Sequence, residues 1–201
     1  TMSLTVIKNN YRPYESTIDI SSVTGTAVAL DSDVINANAG EWTNFELSLQ
    51  NYGSQTAFNV IAELSSLSEY VTIDETIVEY GNILSSTSTV RTFPVYIHGT
   101  AFDGEDMQFK LTISDENNNW INYVPVNVSA PRLYIQEYIG EVFPGAIADI
   151  SLDIINQGSK TANDLLIEFL PYENLVSVTS GSIFLDNLSV EENIVLDGFT
   201  L

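Results

Sequence analysis

The residues able to do chemistry are few, and their spacing assembles no familiar site. His98 is the only histidine, and there is no cysteine. A nucleophile–histidine arrangement needs both partners, and a zinc site needs several imidazole or thiolate ligands, so neither is available. His98, followed by Gly99, reads as a histidine at the end of a surface strand. Asp103, Glu105 and Asp106 form the densest acidic loop, around Gly104. Calcium takes six to eight oxygen ligands, and these three side chains with backbone and water could approach that number. Their spacing does not match an EF-hand, and Asp115-Glu116 falls at the far end of the following strand. A solvated turn is therefore favoured over a structural calcium site, and no catalytic, cofactor-binding or metal-ligating residue is assigned. Trp42, Trp120 and the ten tyrosines could supply a sugar-stacking platform. The sequence instead favours Trp42 in the core, by its match to Ile147, and Trp120 over the rim of the fold. The tripeptides Asn127-Val128-Ser129 and Asn187-Leu188-Ser189 fit a glycosylation pattern but fall within expected strands.

Charge narrows the partners. The 27 acidic and six basic residues give a net charge of −21. Lys8, Arg12, Arg91, Lys110, Arg132 and Lys160 are scattered. Nucleic-acid binding needs clustered cations, and anionic membranes are disfavoured for the same reason. The apolar runs are too short to span a bilayer. An acidic surface keeps crowded modules soluble and apart. No signal peptide is visible, and Thr1-Met2 reads as the cut edge of a longer product.

A gapless internal repeat at an offset of 105 residues organises the chain. Phe45, Leu47 and Leu49 fall on Ile150, Leu152 and Ile154, with polar residues between them in both copies. Alternation of this kind marks a strand with one face in a core, so Phe45 and Ile150 should point the same way. Asn51-Tyr52-Gly53-Ser54-Gln55-Thr56-Ala57 then matches Asn156-Gln157-Gly158-Ser159-Lys160-Thr161-Ala162. Gly53 and Gly158 are the natural residues for a positive-φ turn position. The match continues from Val28 and Leu30 on Leu133 and Ile135 to Val90 on Val195.

These patterns predict an all-β fold of tandem immunoglobulin-like β-sandwiches, with almost no helix. Strands are expected over 28–35, 42–51, 58–64, 71–80, 88–97, 107–115 and 120–128. Pro94 and Pro125 should lie at edges or bulges. Residues 27–130 form the first module and 131–201 the second, which lacks counterparts of the last two strands. Residues 1–26 are a strand segment. Met2, Leu4 and Val6 fall on Met107, Phe109 and Leu111, and a one-residue slip places Ile18 and Ile20 on Val124 and Val126. The segment can thus be read as the closing hairpin of a preceding module or as an extra strand or linker. A sandwich with open edges recruits strands, so strand exchange between molecules is a further expectation.

The string Asn-x-Gly-Ser-x-Thr-Ala between alternating strands resembles CARDB-like immunoglobulin-fold modules. So do Asp103-Gly104-Glu105, the run Phe109 to Asp115, and Trp120. The resemblance extends to the β-sandwich tails of gingipain-type cysteine peptidases and covers residues 27–201. It implies a non-catalytic spacing, display or adhesion role in a large secreted or surface-attached bacterial protein. Its partners would be neighbouring domains of the same polypeptide and a protein or glycan ligand. The alternative it leaves is a carbohydrate- or protein-binding module of a secreted enzyme. No catalytic residue carries over, because the peptidase nucleophile is a cysteine.

Overall fold

Alternating apolar residues set the strands, and the strands set two cores. The computed structural model describes residues 2–6, 14–18, 24–171 and 176–201. Among them every regular element is a strand. The hairpin β1 (Met2–Val6) and β2 (Tyr14–Ile18) comes first. It is followed by β3 (Val28–Leu30), β4 (Ile35–Asn38), β5 (Glu41–Asn51), β6 (Ala57–Ser66), β7 (Val71–Ile73), β8 (Ile77–Ile83) and β9 (Ser88–Ile97). The long strands β10 (Asp106–Ser114) and β11 (Asn119–Ser129) complete this group. The last five are β12 (Leu133–Ile139), β13 (Asp149–Asn156), β14 (Ala162–Glu168), β15 (Ser182–Leu188) and β16 (Asn193–Thr200).

The first sandwich faces a four-stranded sheet, in the order β3-β5-β9-β7, against a five-stranded sheet, β4-β11-β10-β6-β8. Phe45, Leu47 and Leu49 from one sheet and Phe109, Leu111 and Ile113 from the other are fully buried between them. Phe45 and Phe109 meet edge to face at 5.2 Å, an arrangement aromatic quadrupoles favour. Tyr80 is buried too. Its hydroxyl donates to the Leu47 carbonyl at 2.9 Å, and burial pushes its phenol well above the usual range. The second sandwich sets β12-β13-β16 against β14-β15, around a separate cluster containing Ile150, Leu152, Ile154, Leu188 and Phe199.

The repeat holds in three dimensions. Phe45 and Ile150 both point inward, and β8 and β15 begin and end at matched residues. Even the unusual backbone repeats: Asn59 and Asp164 both have φ of 52°, and Ser86 and Glu191 have 60° and 61°.

Four local expectations are corrected. The stretch 28–35 is two strands in different sheets, because Asp31-Ser32-Asp33 carries the chain across the sandwich edge. β4 then pairs in parallel with β11. Likewise 71–80 divides at Asp74-Glu75-Thr76, so β7 joins β9 and β8 joins β6. Gly53 and Gly158 are not among the glycines with positive φ. They are glycines because the chain entering each sandwich passes directly over them. A Cβ would lie 2.7 Å from the Ala27 nitrogen in one copy and 2.7 Å from the Pro131 carbonyl carbon in the other. Finally, β1 pairs with β2 so that Met2 faces Ile18, as Met107 faces Val126. Ile18 therefore takes the place of Val126 and not Val124; Ile20 lies outside the described residues.

Both prolines sit where their strand has one neighbour. Pro94 is just beyond the end of β7, its carbonyl accepting from the Asp74 amide at 3.1 Å. Pro125 precedes the stretch of β11 that pairs with β4.

Removing core volume at β5 should be expensive. Leu47→Ala is expected to destabilise the chain by about 2–5 kcal/mol in denaturant unfolding. A loss near zero would place Leu47 outside the core.

Candidate functional site at the junction of the sandwiches

The connection between the sandwiches is three residues long: β11 ends at Ser129 and β12 begins at Leu133. A carboxylate ties it down. Asp103 Oδ1 accepts the Ala130 amide at 2.9 Å and the Ser159 amide at 3.1 Å. It also accepts the Ser159 hydroxyl. Asp103 belongs to the loop before β10 and Ser159 to the turn after β13, so one oxygen joins the linker and both sandwiches. A second tie is the ion pair between Lys160 and Glu41, with Asn38 donating to the other Glu41 oxygen at 2.9 Å.

These contacts explain the acidic loop differently from a metal site. Burial tends to raise the Asp103 pKa, but it is outweighed. The Ala130 amide, both Ser159 donors and the charge of Arg132 together hold the carboxyl below its ordinary 3.8. Glu41 is held below its ordinary value by the hydrogen bonds from Lys160 and then Asn38. Glu105 turns back to accept the Phe102 amide at 3.3 Å. Asp115 shapes its own hairpin, accepting the Asn117 and Asn118 amides at 2.8 and 2.7 Å and the Thr26 hydroxyl at 2.6 Å. Among the described residues no three His, Cys, Asp or Glu side chains converge to hold a metal ion. The charge of Asp103 is legible in the sequence, but its role at the junction is not. The signal was Ser159, whose place in the repeated turn is the same as that of Ser54, beside the chain entering the first sandwich.

The aromatic residues are rearranged relative to the sequence reading. Trp42 is 57% exposed, not core, although its match to the exposed Ile147 is correct. Parity is the reason: position 42 is an odd number of residues from the inward Phe45, so it faces out. Trp120 packs partly buried against the core, as expected, and on the other sheet. The two tryptophans share no platform. Trp42 instead begins a surface row with Tyr96 at 5.4 Å and then His98 at 5.5 Å from Tyr96. His98 follows β9, and its Nε2 lies 2.9 Å from the Thr72 hydroxyl. Asn127 and Asn187 are exposed on strands.

No family model matches the sequence, and no match was found among curated proteins. Three solved structures similar to it are remote. The YadV chaperone aligns over 85% of this chain and 84% of its own, at 6% identity and a TM-score of 0.37. A Porphyromonas gingivalis W83 protein of unknown function aligns over 87% and 82%, at 9% identity and 0.35. The CsuC-CsuE chaperone–tip adhesion subunit pre-assembly complex of Acinetobacter baumannii aligns over 85% and 89%, at 10% identity and 0.32. The class defined by the chain's own sheets is an all-β protein of tandem immunoglobulin-like sandwiches.

The junction should respond to acid. A carboxylate whose folded pKa is depressed contributes above its unfolded pKa and loses that contribution as pH falls through the folded value. The amide resonances of Ala130 and Ser159 should therefore stay fixed from neutral pH down and shift together only below 3.8. A shared midpoint at or above the ordinary carboxylate value would mean that Asp103 does not hold the junction.

Proposed function

We propose that this chain is a non-catalytic spacer that holds and displays other domains of a large extracellular or cell-surface bacterial protein. Its units are residues 27–130 and 131–201, with residues 1–26 contributing a strand hairpin at the leading end. The observation that carries the reading is the junction itself. Three linker residues, the Asp103 clasp and the Lys160–Glu41 pair leave little freedom between consecutive sandwiches. A spacer needs this property, because a flexible linker lets its ends approach. The acidic surface suits a crowded array by keeping neighbouring molecules apart. The only histidine is engaged with Thr72 and has no nucleophile in its sequence context, which supports a non-enzymatic role.

Nuclear spin relaxation measured separately for each sandwich tests the reading. Both should report one rotational correlation time, and Asp103→Ala combined with Lys160→Ala should separate them. Independent tumbling in the unaltered chain would remove the basis for a spacer.

A glycan-binding role is the second reading, favoured by the row in which exposed Trp42 leads to half-buried Tyr96 and His98. Aromatic faces stack on the apolar faces of sugar rings. Binding on a glycan array that is lost in Trp42→Ala, with an unchanged unfolding curve, would establish it; an array without signal would leave Trp42 as a cross-strand packing residue.

A further inference from the structure

The outer face of the four-stranded sheet differs in chemistry from an otherwise acidic molecule. On β5 and β9 the residues that alternate with the core positions turn outward. Asn44 lies opposite Pro94 and Ser48 opposite Val90, while Thr72 on β7 lies opposite Tyr96. Glu46, opposite Thr92, is the one charged residue among these outward β5–β9 pairs. Amide and hydroxyl side chains both donate and accept, which is what a ligand rich in hydroxyl groups requires.

The aromatic row stands on this face, at its junction end. Trp42 is directly opposite Tyr96, their ring centroids 5.4 Å apart, and His98 follows Tyr96 at 5.5 Å. The Thr72 hydroxyl, 2.9 Å from Nε2, fixes the imidazole. The fold does not demand these rings. The 105-residue offset sets Ile147 and Leu201 in the places of Trp42 and Tyr96, and the second sandwich forms with neither aromatic. Neither ring belongs to the buried cluster of the first sandwich.

Three features select an occupant. Each step along the row is close to the advance of one hexopyranose ring in an extended glycan chain, so successive sugars meet successive rings. Neighbouring ring planes are inclined by 43° and 47°. The flat face of a crystalline glycan would lie on one such ring at a time, whereas a free chain turns from one sugar to the next and follows all three. The last feature is charge. Lys160 is held by Glu41, Arg91 donates to the carbonyls of Glu79 and Val90, and Lys110 lies on the opposite sheet. Arg132 lies over Tyr134 in the second sandwich. With no cation at the row among these, and a net charge of −21, an anionic polysaccharide would be repelled.

We infer that the Trp42–Tyr96–His98 row is a binding site for a single uncharged glycan chain in solution, with one sugar stacked on each ring. The inference rests on the glycan-binding reading and narrows it to a ligand class. Stacking of the rings on the C–H faces of the sugars supplies affinity, and Asn44 and Thr72 flank the row to bond their hydroxyl groups.

Isothermal titration calorimetry of the whole chain with cellohexaose, xylohexaose and laminarihexaose tests this, beside co-sedimentation with microcrystalline cellulose and electrophoresis through gels containing polygalacturonate. Trp42→Ile and Tyr96→Leu install the residues that the second sandwich carries, so both variants should keep the unfolding curve of the unaltered chain. The expected result is binding of at least one hexasaccharide, weakened about tenfold in each variant, a loss of about 1.4 kcal/mol. Trp42→Phe should retain most of the affinity. Retention by microcrystalline cellulose or polygalacturonate in place of the hexasaccharides, abolished in Trp42→Ile, would overturn the ligand class while leaving a glycan-binding role standing. Hexasaccharide binding that both variants preserve would move the site away from the row. Binding of none of these probes would overturn the inference, and a silent glycan array would then remove the broader reading with it.

Discussion

Each sandwich is closed by one buried asparagine. Asn51 stands at the end of β5 and Asn156 at the end of β13, and both side chains are fully buried. Asn51 Oδ1 accepts the Ala27 amide at 3.2 Å and the Gly53 amide at 2.9 Å, while its Nδ2 donates to the carbonyls of Gln55 at 2.7 Å and Ile83 at 3.0 Å. Asn156 repeats all four bonds, to Arg132, Gly158, Lys160 and Leu188. A side-chain amide offers one acceptor oxygen and two donor hydrogens, and here all are used. No other neutral side chain of this size combines an acceptor oxygen with two donor hydrogens: a Ser or Thr hydroxyl donates once, and the isosteric Asp would bring a charge into the core at a cost of several kcal/mol.

Those four bonds gather every part that the rest of the structure uses. They fix the chain entering the sandwich, the turn leaving the central strand, and the end of β8 or β15 in the facing sheet. Gly53 and Gly158 follow from this, since the entering chain must cross the turn without meeting a Cβ. So does the junction. Asn156 holds Arg132 and Gly158 in place, and Ser159 is thereby set beside Asp103. The rigidity between sandwiches is thus an extension of the lock within one of them.

Much of this was legible in the residues. The 105-residue offset placed strands, inward faces and turns, because period-two alternation and a Gly-containing turn are local signals. The asparagine was visible as the first letter of the repeated turn, but its burial was not: a polar residue at a strand end ordinarily faces water. The outward direction of Trp42 is legible in its odd spacing from Phe45, whereas its match to Ile147 carries no sign of burial, since Ile147 is itself exposed. The divisions at Asp31–Asp33 and Asp74–Thr76 were hidden because a strand that changes sheets keeps its alternation while exchanging its partners. Asp103 was found for its charge, yet its partner lies 56 residues away, a distance no motif spans.

The asparagine lock is most directly tested by hydrogen exchange of the Ala27 and Gly53 amides in the unaltered chain and in Asn51→Ala. Both donate to Asn51 Oδ1 and should be protected to the level of the core strands. In the variant both should exchange rapidly, and the loss of stability should reach the several kcal/mol expected when buried backbone groups lose partners worth about 1–3 kcal/mol each. Unchanged protection, with stability altered by no more than about 0.5 kcal/mol as at an ordinary surface site, would contradict the account.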